Sequence, residues 1–134
     1  MNQVLFRKLE RLKEEILYLK TNRAKFQRNL RISVETTKIT ERSVYLCAEI
    51  ALDIADTVIA MRGLPKPSTY SDSIYKLGEY KISPKSFARK FVYIAGLRNF
   101  LAHDYQIDNK NELIGFLRSG LTDMEKYIRF IEKQ

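Results

Sequence analysis

ERSVYLCAEIALDIADTVIAMR, the stretch from Glu41 to Arg62, carries apolar side chains on more than one face of a helix. Val44, Ala48, Ala51, Ala55 and Val58 fall on one line and Leu46, Ile50 and Ile54 on another, at the intervals of three and four that define an α-helix. A helix apolar over so wide an arc belongs at the centre of a bundle. It packs there either within a thick single core or between its own bundle and another subunit. Gly63 suits the left-handed position after the last turn, and Pro65 and Pro67 prevent continuation, so this helix ends sharply.

The flanking sequence supplies the partners. Upstream, Leu5, Leu9, Leu12, Ile16 and Leu19 repeat in alternating fours and threes, which predicts an amphipathic helix starting near Asn2. Thr36, Thr37 and Thr40 lower helix propensity, so a bend or loop is expected between Lys25 and Thr37. Downstream, Ser71 or Ser73 can open a short helix over Ile74 to Leu77, with Gly78 closing it. Ser83-Pro84 reads as an N-cap followed by proline in the first helical position. The helix that follows has Phe87, Phe91, Ile94 and Leu101 facing the core. Asp108 or Asn109 can cap a last helix whose seam is Leu113, Leu117, Leu121, Met124, Ile128 and Ile131. That seam is regular enough to override Gly115 and Gly120. No stretch alternates like a strand. The expectation is an all-α fold, an up-and-down four-helix bundle with one extra short helix, forming a single domain over residues 1–134.

Composition narrows the function. The 134 residues are 45% hydrophobic and 30% charged, enough for a core without metals or disulfides. Lys and Arg outnumber Asp and Glu by 24 to 16, and the resulting charge of +8 favours polyanions: RNA, DNA, an acidic protein or an anionic membrane. Lys20, Arg23, Lys25, Arg28 and Arg31 form one basic cluster and Lys81, Lys85, Arg89 and Lys90 another. On a helix, Lys81, Lys85 and Arg89 would share one face and offer an RNA-binding stripe, although a solvated face has the same pattern. Cys47 is the sole cysteine, so no intrachain disulfide forms and a reducing compartment fits. Early charge at Arg7 and Lys8, with no long apolar run, points to a cytoplasmic protein that does not enter a membrane.

The only histidine lies in Arg98-Asn99-Phe100-Leu101-Ala102-His103-Asp104-Tyr105. Histidine suits proton transfer near neutral pH, and arginine presents a fork of donors that matches phosphate oxygens. Taken alone, the string also fits an arginine paired with an acid and a histidine filling a gap. Glycine-rich phosphate loops and nucleophile elbows are missing, and one histidine with one distant cysteine cannot build the usual zinc sites. Glu49, Asp53 and Asp56 could share a helix face as a carboxylate metal site, but acids so placed are more often solvated or paired with Arg and Lys. No metal or cofactor is therefore expected. At about 100° per residue, Arg98 and His103 stand roughly 140° apart on an ideal helix. Either the helix ends between them, or another subunit completes the site. RNA transesterification benefits from both a base and an acid, and a twofold dimer would bring two copies of His103 to one cleft.

The segment Arg98-Asn99-x-x-x-His103-x-Tyr105 resembles the R-x4-H-x-Y motif of the HEPN superfamily, specifically its HepT-like toxins. Glu41-Arg42 and Ala48 to Ala55 resemble that family's second helix, Pro67-Ser68-Thr69-Tyr70 its following loop, and Ile107-Asp108 the residues after the tyrosine. The resemblance implies a dimerising helical bundle that cuts RNA in a composite cleft without metal. His103 would act as general base or acid, Arg98 would stabilise the phosphorane, and Asn99 would orient the reacting groups. It also implies a toxin–antitoxin pair in which an MntA-like nucleotidyltransferase transfers AMP to Tyr105. The alternative is a HEPN bundle that only binds, serving as helical partner of a nucleotidyltransferase, with Arg98 and His103 holding phosphate without cutting it.

Overall fold

The computed structural model describes residues 2–134. Helix α1 (Gln3–Asn29) begins where the Asn2 side chain accepts from the Val4 and Leu5 N–H groups at 2.8 and 3.1 Å. Its stripe of Leu5, Leu9, Leu12, Ile16 and Leu19 is buried, as the periodicity requires, and Phe26 extends it. The chain turns over residues 30–33 and enters α2 (Val34–Met61). The expected loop shrinks to this turn, and α2 starts seven residues before Glu41. Ser33 is the reason: its hydroxyl accepts from the Thr36 N–H, while Thr37 and Thr40 donate their hydroxyls to the carbonyls of Leu30 and Thr36. Threonines satisfied in this way do not break the helix.

Helix α2 is the hub. Val44, Ala48, Ala51, Ala55 and Val58 are buried, Ile54 is buried on the second line, and Leu46 and Ile50 are half-buried. It touches α1, α3 (Tyr70–Glu79), α5 (Tyr93–His103) and α6 (Lys110–Gly115). Gly63 takes φ 64°, and the Leu64 N–H reaches back to the Ile59 carbonyl at 3.0 Å, so the predicted left-handed stop is present.

Four further boundaries differ from expectation. Thr69, rather than Ser71 or Ser73, caps α3 by accepting from the Asp72 N–H. Gly78 lies inside α3 instead of closing it, because a Cβ there would stand 2.9 Å from the Ala88 Cβ of α4 (Lys85–Phe91). The helix ends at Glu79, and two residues on Lys81 adopts φ 61° while the Ile82 N–H bonds the Leu77 carbonyl. Ser83 supplies no cap, since its hydroxyl turns to the Pro84 carbonyl. The single fourth helix is in fact α4 and α5, joined at Val92 by one tightened turn.

After the Asp104–Asn109 connection, Asp108 accepts from the Lys110 N–H and opens α6. The final rod then widens into a π turn over Phe116–Gly120 before continuing as α7 (Leu121–Glu132). Ion pairs Lys13–Glu132 and Lys20–Glu125 run in opposite chain directions, so α7 lies antiparallel to α1. Thus α1, α2, the α4–α5 pair and the α6–α7 rod make the four-helix bundle, and α3 is the extra element. No strand occurs among the described residues, and no helix is long and apolar enough to cross a membrane.

Candidate active site

Helix α5 positions the motif. Ile94 and Ala95 bury its inner face, which sets Arg98 one turn further on against α2. There Glu49 accepts from Arg98 Nη2 at 3.2 Å and Nε at 3.4 Å. The guanidinium also lies over the rings of Tyr70 and Tyr45, with its carbon 5.0 and 5.8 Å from their centroids. The Tyr45 hydroxyl donates to the same Glu49 oxygen, and Arg98 Nη1 donates to Asn99 Oδ1 at 3.2 Å.

This clamp fixes charge as well as position. Burial alone would raise the Glu49 carboxyl, but hydrogen bonds from Tyr45 and Arg98 outweigh it and hold the group below its ordinary range. Burial opposes the charge on Arg98, yet Glu49 more than compensates and keeps the guanidinium protonated. Tyr45 is pushed up by its bond to Glu49 and by burial, so it stays a donor. The side chains of Arg98 and Glu49 are only 17% and 33% exposed, which shields the pair from screening.

Arg98, Asn99 and His103 border one cleft of about 830 Å³. Helix α5 runs unbroken to His103, so the idea that the helix ends between arginine and histidine is corrected. The cleft is wide enough for both side chains to reach its edge from different sides of the helix. The imidazole is exposed at the end of α5. Most of the rest of its lining comes from Asp56 and Ile59 of α2 and from the segment Leu64 to Tyr70, including the Pro67-Ser68-Thr69-Tyr70 loop.

Tyr105 lies just beyond α5, 86% exposed, outside the lining of the cleft. The basic stripe does not form as expected: Lys81 sits in the turn before α4, so it shares no helix face with Lys85 and Arg89. Lys81 and Lys85 line a separate groove with Phe130 and Lys133. Glu49, Asp53 and Asp56, the three acids of α2 that could have shared a metal site, are dispersed among different partners. Glu49 holds Arg98, Asp53 pairs with Lys8, and Asp56 accepts from Ser73. Glu49 and Tyr45 were missed as clamp residues because spacing along α2 does not reveal which cation of a distant helix arrives there. The reading of acids paired with Arg and Lys was the available clue.

Helix α5 of this all-α bundle thus brings an arginine, an asparagine and a histidine to one cleft. The model of the ribonuclease HepT-like family matches residues 6–131, and the chain belongs to that family. It is 30% identical over 99 residues to the tRNA nuclease HepT of Aphanizomenon flos-aquae, covering 74% of this chain and 67% of that protein. It is 27% identical over 88 residues to the mRNA nuclease HepT of Shewanella oneidensis, covering 66% of each. The fold matches the tri-AMPylated Shewanella oneidensis HEPN toxin solved in complex with its MNT antitoxin, with TM-score 0.89 and 22% identity over the whole of both chains.

Proposed function

We propose that this protein is an endoribonuclease toxin that cuts RNA without a metal ion. The observation that carries the reading is the shared cleft, in which a clamped cation, an amide and an exposed imidazole face one nucleotide-sized space. In this scheme His103 takes the proton from a ribose 2′-hydroxyl as its oxygen attacks the adjacent phosphorus. The bond to the 5′-oxygen breaks, and an imidazolium returns a proton to that leaving oxygen. The products are a 2′,3′-cyclic phosphate and a 5′-hydroxyl. Arg98 stabilises the charge of the phosphorane, and Asn99, whose oxygen already faces Arg98, directs its amide N–H groups toward the substrate. Since each chain has one histidine, a second copy supplies the other acid–base group in a composite dimer cleft. Lys81, Lys85 and Arg89 are left to contact outlying phosphates.

Control fits the same geometry. An MntA-like nucleotidyltransferase antitoxin would join the Tyr105 phenol oxygen to the α-phosphorus of ATP, releasing pyrophosphate. The exposure of Tyr105 makes it accessible to such a partner, and its place two residues from His103 puts the added phosphodiester beside the catalytic cations. The test incubates end-labelled RNA with the protein in EDTA, beside His103→Ala and Arg98→Ala variants. Cleavage that survives chelation, yields cyclic phosphate ends and disappears in both variants is the expected result. Absence of cleavage by the parent would leave the helical binding subunit as the better reading.

A further inference from the structure

The part of the cleft lined by α2 and the chain that follows it is unlike the rest of this basic chain. Asp56 stands there without a Lys or Arg partner among the described residues, unlike Glu49 and Asp53 on the same helix. Its Oδ1 accepts from the Ser73 hydroxyl at 2.6 Å, and Ser73 itself is only 1% exposed, so the carboxylate is held from behind. Around it, Ile59, Leu64 and Pro67 supply an apolar lining, and Lys66 stands at the exposed rim. An apolar-lined part of the cleft with one fixed carboxylate suits a heterocycle that carries N–H donors on its edge.

Spacing along α2 ties this slot to the motif. Asp56 follows Glu49 by two helical turns, about 10.5 Å along the axis and nearly in line with it. Glu49 marks the position of Arg98. The separation is comparable with the reach from the phosphate of a nucleotide to the far edge of its base. Among the four bases, guanine alone offers two adjacent donors, N1–H and N2–H, to a carboxylate. Adenine and cytosine would place a ring acceptor against it, and uracil flanks its single donor with two carbonyl oxygens. We infer that Asp56 and Ser73 form a guanine-recognising subsite, and that the protein selects a guanosine of the RNA next to the phosphate held by Arg98. The inference rests on the ribonuclease reading of the site.

Binding can be separated from cutting. RNA hexamers carrying one guanosine, with fluorine in place of every 2′-hydroxyl, would be titrated beside counterparts in which adenosine replaces it. The parent should prefer the guanosine hexamer by roughly 5- to 150-fold, the discrimination typical of a bidentate base contact. Asp56→Asn, which keeps an acceptor for Ser73, should lose that preference while retaining its circular dichroism spectrum. Equal binding of both hexamers, or a preference that survives in Asp56→Asn, overturns the inference. Free GMP binding more tightly than the hexamer would also overturn it, by assigning the slot to a free nucleotide. If guanosine selectivity is found but the unmodified hexamer is not cleaved, the nuclease reading fails and the subsite stands.

Discussion

Replacing Glu49 with glutamine removes one charge from the clamp while preserving its volume and one acceptor oxygen. The structure sets the size of the effect. Two N–H donors of Arg98 lie at 3.2 and 3.4 Å from Glu49 Oε2, in a pair whose side chains are 17% and 33% exposed. Charge-assisted bonds contribute ~1.5–3 kcal/mol at good geometry, and the longer contacts and partial exposure reduce this to about 1–2 kcal/mol. The pH dependence follows from the direction of the carboxyl shift. Because the folded state holds Glu49 below its ordinary value of 4.5, its contribution is complete above that value and declines as pH falls through the lower folded value. Urea denaturation of the parent and Glu49→Gln should therefore differ by about 1–2 kcal/mol at pH 7, and the gap should narrow steadily below pH ~4.5. An Arg98→Met variant completes a double-mutant cycle, in which most of that difference should appear as coupling. A gap that stays constant on acidification, or one already absent at pH 7, would refute the argument.

Other positions make simpler tests. Gly78→Ala would force a methyl group to 2.9 Å from Ala88 and 3.1 Å from the Lys85 backbone, so thermal melting should show a loss of ~1–3 kcal/mol. Lys81→Gly should raise stability by about 0.5 kcal/mol, as relief of the left-handed backbone outweighs the added unfolded-state entropy; Gly63→Ala, at the equivalent stop of α2, should lower it by ~1 kcal/mol. Burial pushes the Cys47 thiol well above its usual range, so a colorimetric thiol reagent should find no reactive group in the folded protein at pH 8 and one in urea.

Much of the fold was legible because apolar periodicity survives whatever the helix ends do. The stripe of α1, the first line of α2 and the seam of the last rod are buried as the spacing requires, and Gly63 ends α2 as expected. Boundaries were less legible, since they depend on individual hydrogen bonds. Ser33 and the back-bonded threonines carried α2 upstream over residues that propensity alone discourages. Gly78 looked like a terminator, whereas its lack of a side chain serves the contact between α3 and α4. At the site, the spacing of Arg98 and His103 sets them about 140° apart on a helix, yet both border one cleft, and Glu49, Tyr45 and Tyr70 reach Arg98 from elsewhere in the chain. Such meetings are fixed by how helices cross, which no local pattern encodes.

The π turn at Phe116–Gly120 works as a phase shifter. An α-helix advances about 100° for each residue, so the extra residue accommodated there sets the angular position of everything downstream. Upstream, Leu113 is oriented for α2; downstream, Met124, Tyr127 and Ile131 are turned into the interior, with the Tyr127 hydroxyl donating to the Ala51 carbonyl at 2.7 Å. Gly120 permits the widened turn to close over the Phe116 ring, where a Cβ would stand 2.4 Å from the ring edge. Winding Phe116–Gly120 as regular α-helix with every residue kept would rotate α7 by roughly a quarter turn, whereas deleting the exposed Ser119 would remove the surplus and leave α7 in phase. One residue of surplus in a rod of regular repeats thus decides which side of the last helix is the inside.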